Sequence, residues 1–73
     1  MSISISFGDV LRMLEHCANG FGIRRTTHGR MVDWNGRSFP DLPKHDDIGI
    51  GHIRKMVRHL GIDKDCARSF GCY

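Results

Sequence analysis

The dipeptide Asn35-Gly36, set between Met31-Val32-Asp33-Trp34 and Arg37-Ser38-Phe39, constrains this chain more than any other feature. Both residues tolerate the positive φ angles of a two-residue type I′ turn, whose twist lets antiparallel strands continue on either side. A β-hairpin is therefore predicted across residues 31–39. A preceding strand near residues 21–26 completes a sheet, although Gly22 offers no side chain to pack and Arg24-Arg25 interrupt clean alternation. Pro40 and Pro43 lack the N–H that a ladder needs, so the strand region is expected to end there.

Helical periodicity flanks this region. Ser6-x-x-Asp9 has the form of a capping box, and Phe7, Val10, Leu11 and Leu14 follow at i, i+3, i+4 and i+7. That helix should stop near Asn19-Gly20, a pair suited to a left-handed cap. A second helix is predicted over about residues 50–60, where Ile53, Met56, Val57 and Leu60 repeat the spacing, Gly61 caps the end and Ile62 folds back on the last turn. Residues 63–73 show no apolar period and read as a frayed C-terminal tail behind a single domain of residues 1–62. The order α-β-β-β-α gives an α+β fold, two helices on one face of a three-stranded antiparallel sheet, which is the double-stranded-RNA-binding-domain-like arrangement. Fold alone does not decide function.

Composition narrows the function classes. The start has no basic segment, and no apolar run is long enough for an export signal or a bilayer crossing, so a cytoplasmic protein is expected. Cys17, Cys66 and Cys72 cannot all pair within one chain and read as free, reduced thiols. Cys66-x5-Cys72 has no second ligand pair beside it, so neither metal nor cofactor is expected. Eleven Lys and Arg stand against eight Asp and Glu. Their positions matter more than their sum. Arg24, Arg25, Arg30 and Arg37 are offset only by Asp33, and Arg54, Lys55 and Arg58 cluster with no acid among them. Two local basic patches suit an anionic partner, most simply nucleic acid, while solvated faces are the plainer alternative.

His28 lies just before the central strand among Arg24, Arg25 and Arg30. Cleavage of an RNA strand needs a base for the 2′-hydroxyl proton, an acid for the leaving 5′-oxygen and cations for the charged transition state. Imidazole and guanidinium groups supply all three. The alternative is a histidine at a strand end that is simply a surface residue or is satisfied by backbone hydrogen bonds. Trp34 admits two roles as well, stacking on a base or packing against a small sheet.

Four stretches carry a resemblance to a known family. They are the helix Val10-Leu11-Arg12-Met13-Leu14-Glu15, His28 followed at a characteristic spacing by Gly36, the segment Leu42-Pro43-Lys44-His45, and Gly51-His52-Ile53-Arg54-Lys55-Met56-Val57-Arg58-His59-Leu60-Gly61-Ile62. Between residues 11 and 62 they resemble HicA toxins, also described as YcfA-like mRNA interferases. The resemblance implies a metal-independent endoribonuclease that acts on mRNA and is silenced by a HicB-type antitoxin. His28 would be its catalytic acid or base, Thr27 an orienting or phosphate-binding group, and Arg25 and Arg30 electrostatic helpers. Arg24, Arg25, Thr27, Arg30 and Lys55 are the candidate RNA contacts. His45 is a candidate for a second proton transfer or for a structural role at the loop-helix junction, and Arg54 and Arg58 for RNA phosphates or an acidic antitoxin surface. Where the family presents Gly-Ser before its histidine, this chain has Thr26-Thr27. The competing readings are a non-catalytic RNA-binding module and a protein-interaction domain with no RNA role.

Overall fold

Residues 3–73 are described by the structure, a computed structural model. The elements are β1 (Ser4–Ser6), α1 (Phe7–Cys17), β2 (Gly22–Arg25), β3 (Arg30–Trp34), β4 (Arg37–Leu42), β5 (Asp47–Gly49), α2 (Ile50–Leu60) and α3 (Lys64–Ser69). Together they make a small α+β domain built on a three-stranded antiparallel sheet of order β2-β3-β4.

Helix α1 begins where the capping residues place it. The Ser6 hydroxyl accepts from the Asp9 N–H at 3.2 Å, satisfying one of the otherwise unpaired first-turn donors. Ser6→Ala is therefore expected to cost about 1 kcal/mol, a fall of about 4–8 °C in the thermal midpoint, checked by a melting curve. The helix ends at Cys17, with the Ala18 N–H bonded to Leu14 O and Gly20 turning the chain at φ 86°. Its buried stripe is Val10, Met13 and Leu14, whereas Leu11 stays half-exposed at the border of the core.

Asn35 and Gly36 adopt φ values of 55° and 74°, the pair of left-handed conformations that the β3–β4 turn demands. Strand β4 does not stop at Pro40 but runs to Leu42, a correction with a simple cause. It is an edge strand, and Pro40 falls opposite a register shift between Arg30 and Val32, where regular ladder pairing is suspended. A second ladder was not legible in the sequence. β1 pairs antiparallel with β5, Ile5 opposite Ile48, and brings residues 4–6 against the entry to α2.

The sheet contributes Val32, Phe39 and Leu42 to a core shared with Val10, Met13 and Leu14 of α1 and Ile53, Met56, Val57 and Leu60 of α2. Each large apolar side chain removed from water contributes roughly 1.5–3 kcal/mol. Gly61, at φ 75°, ends α2 and lets the Ile62 N–H reach Val57 O, the closed turn that its sequence implied.

Residues 63–73 are not frayed. Asp63 caps α3 by accepting from the Asp65 and Cys66 N–H groups, Ala67 and Cys72 are buried, and Cys66 is disulfide-bonded to Cys17 across a Cα separation of 5.8 Å. The reading of three free thiols is thereby corrected, because packing of α3 against the end of α1 brings together cysteines 49 positions apart. Cys72 alone keeps its thiol, which burial, helped by the charge of Asp9, pushes up to about 11. At neutral pH it is an inert core residue. Among the described residues no helix is long and apolar enough to cross a membrane.

Candidate nucleic-acid site

The β2–β3 connection, residues 26–29, carries His28. Its turn is closed twice, by the Thr26 N–H to Gly29 O at 2.8 Å and by the Gly29 N–H to the Thr26 hydroxyl at 3.1 Å. Thr26 thus staples the loop through its side chain, and it does so at negative φ, since Asn35 is the single non-glycine residue of positive φ among those described. Gly29 is required for a different reason. A Cβ there would lie 2.5 Å from Leu42 O, so a larger residue must push β4 away from the loop. Gly29→Ala is expected to lower stability by about 1–3 kcal/mol. Denaturant titration checks this, and an unchanged midpoint would refute the close contact.

With the turn held from below, Thr27 and His28 are exposed at its tip. Through Thr26 the same turn borders a cleft of about 280 Å³ whose other lining residues are Arg25, Arg30 and Lys44; Thr27 and His28 are not part of that lining. Arg25 and Arg30 are direct cross-strand partners, and like charges placed so oppose strand pairing unless something compensates. Arg30 is compensated. Its guanidinium lies 3.7 Å from the centroid of the Phe7 ring and donates to Pro43 O at 2.9 Å and His45 O at 3.2 Å. Lys44 Nζ donates to Thr27 O at 2.9 Å. These bonds stitch the Pro43-Lys44-His45 segment to the loop that carries His28. The charged groups lining the cleft are all cationic, which suits a phosphate backbone. Lys44 is the member that sequence reasoning passed over. Its place inside Pro43-Lys44-His45 was visible, but nothing local indicated that the segment folds back on the hairpin.

Other nominated residues lie elsewhere. Arg24 neighbours Arg25 in sequence but projects from the opposite face of the sheet, because strand side chains alternate. There its Nε donates to Asp33 Oδ2 at 3.1 Å and its Nη2 meets Met31 Sδ. The Asp33 carboxyl sits below its ordinary range, first through the hydrogen bond donated by the Ser38 hydroxyl and then through Arg24. Arg24 is therefore a cross-strand clamp outside the cleft. Lys55 belongs to a separate groove with Ile3, Gly49, Ile50, Gly51 and His52. Trp34 takes the packing role, half-buried against the core with its Nε1 donating to Asn19 O at 3.0 Å. His45 is exposed on the segment tied to the hairpin. Arg58 turns toward the C-terminal residue Tyr73.

No protein-family model matches this chain, and neither does any curated protein or solved structure.

Proposed function

We propose that this protein is an endoribonuclease of the HicA type, a toxin that cleaves mRNA with His28 and is silenced by a HicB-type antitoxin. The observation that carries the proposal is the placement of His28 on an exposed, doubly closed turn beside a cleft whose charged lining is Arg25, Arg30 and Lys44. The sequence resemblance points to the same histidine. On this proposal the sheet with α1 and α2 is the double-stranded-RNA-binding-domain-like arrangement, to which β1, β5 and α3 are additions.

The chemistry follows from the groups present. His28 takes the proton of a ribose 2′-hydroxyl, and the 2′-oxygen attacks the adjacent phosphorus. The bond to the 5′-oxygen breaks, that oxygen is protonated, and a 2′,3′-cyclic phosphate is left on the upstream fragment. Arg25, Arg30 and Lys44 hold the phosphate and offset the charge that builds on its oxygens. Thr27 positions the backbone, and His45 is the candidate for the complementary acid. An antitoxin that covers the cleft would silence the enzyme by occlusion. An mRNA substrate places the activity in the cytoplasm, where thiols are kept reduced, so the Cys17–Cys66 bond bears directly on how stable the active form is.

Thr26-Thr27 in place of the family's Gly-Ser favours a second reading, a non-catalytic RNA-binding module. The two separate on a denaturing gel. Wild type and His28→Ala are each incubated with a long single-stranded RNA in excess EDTA. Fragments from wild type alone support the nuclease; intact RNA in both lanes transfers the site to the binding module.

A further inference from the structure

Beyond residue 62, where the family resemblance ends, α3 and Tyr73 join Arg54 and Arg58 of α2 in a surface that the His28 chemistry does not use. Helix α2 presents Arg54 and Arg58 one turn apart, and α3 presents Lys64 and Arg68 at the same spacing. Tyr73 lies between the two helices. Arg58 Nε donates to its hydroxyl at 2.9 Å, and the guanidinium carbons of Arg58 and Arg68 stand 5.8 and 5.7 Å from its ring centroid. The phenol is held below its ordinary value, chiefly by the Arg58 hydrogen bond and against some burial, with the charges of Arg58, Lys64 and Arg54 adding to the effect. The nearby acids are committed locally, Asp63 to the α3 cap and Asp65 to Arg68 at 2.9 Å.

We propose that this α2–α3 surface binds single-stranded nucleic acid, with phosphates on Arg54, Arg58 and Lys64 and a base stacked on the exposed part of the half-buried Tyr73 ring. An aromatic ring among guanidinium groups is what such strands use, because every base has a π-face and every linkage a charge. An acidic protein partner would engage the cations and leave the Tyr73 ring idle. The surface is formed by α2, α3 and Tyr73, whereas the cleft near the β2–β3 turn is lined by Arg25, Thr26, Arg30 and Lys44, so the two are separable by mutation.

The test uses a fluorescent oligothymidylate of about 15 nucleotides, which lacks the 2′-hydroxyl and cannot be cut by the His28 chemistry, and reads binding by anisotropy. Wild type is expected to bind with an affinity that falls as salt rises. Tyr73→Ala should weaken binding about tenfold, and Tyr73→Phe should stay within about twofold because the ring remains. Melting curves identify any variant that loses binding by unfolding, and Tyr73→Phe preserves the packing if Tyr73→Ala does not. Equal affinity for wild type and a folded Tyr73→Ala, or no binding at low salt, would overturn the proposal. So would loss of binding in Arg25→Ala with Tyr73→Ala unaffected, or displacement by polyglutamate that is indifferent to the Tyr73 ring. A failed cleavage assay leaves these outcomes unchanged, so the two proposals fall independently.

Discussion

His28→Ala is expected, on the nuclease proposal, to lower the rate of RNA cleavage by about 10²- to 10⁴-fold, the usual contribution of a positioned proton-transfer group. Three features make this a clean measurement. The imidazole is exposed, so its removal opens no cavity in the core. The turn around it is closed by the Thr26 N–H, the Thr26 hydroxyl and the Gly29 backbone, none of which belongs to residue 28. The cleft cations Arg25, Arg30 and Lys44 are untouched, so on the nuclease proposal RNA affinity should change little while the chemical step slows. Single-turnover rates at saturating protein, with binding followed separately on a non-cleavable strand, distinguish the two effects. The contrasting variant is Arg30→Ala. It removes a cleft cation and also the contacts with Phe7, Pro43 O and His45 O, so both rate and thermal midpoint should fall. Equal cleavage by wild type and His28→Ala would assign the activity to another residue and end the proposed role of His28.

Breaking the Cys17–Cys66 bond should produce the largest change in stability. The bridge joins residues 49 positions apart, and closing a loop of that length in the unfolded chain corresponds to about 4 kcal/mol in the chain-entropy account. A domain of this size has a total stability of only about 4–11 kcal/mol, so the reduced protein keeps only about 0–7 kcal/mol. The expected fall in thermal midpoint is about 15–30 °C. Melting curves with and without reductant, and of Cys66→Ala without it, measure the loss. Agreement between the reduced wild type and Cys66→Ala would assign the effect to the bridge and not to reductant acting elsewhere. A shift of less than about 5 °C would mean that the Asp63 cap and the burial of Ala67 and Cys72 hold α3 without the cross-link. Cys72 contributes little to exchange with the bridge, because its thiol, raised to about 11 by burial, carries almost no thiolate at neutral pH. If the nuclease proposal holds, cleavage should fall with reduction in proportion to the unfolded fraction.

The features legible in the sequence are those decided within a few residues. Asn35-Gly36 specified its turn because the required φ values exclude most other pairs, and the observed angles agree. Ser6 and Gly61 marked helix ends because a cap satisfies backbone groups in the adjacent turn. The apolar stripe of α2 gave its limits directly, since Ile53, Met56, Val57 and Leu60 all reach the core. His28 falls in the same hairpin as Arg25 and Arg30, and its exposure is what the plainer reading of a surface histidine also expects.

What the sequence left open depends on partners distant along the chain. Arg24 and Arg25 look like one patch, but strand alternation sends them to opposite faces, and only the buried side of Val32 and Phe39 reveals which face holds the cleft. Lys44 joins the site through Thr27, and Arg30 through Pro43 and His45, across 13 to 17 positions. Strand β4 passes Pro40 because it is an edge, a property of the sheet and not of the residue. Helix α3 is too short to display a period, and its burial comes from α1 and α2. By itself the sequence determined the turns, the caps and the two amphipathic helices, because short-range hydrogen bonding and periodic burial select them. The tertiary structure alone decided the β1–β5 ladder, the cysteine pairing, the Tyr73 surface and the composition of the cleft, because each needs a contact that exists only once the shared core has brought remote segments together.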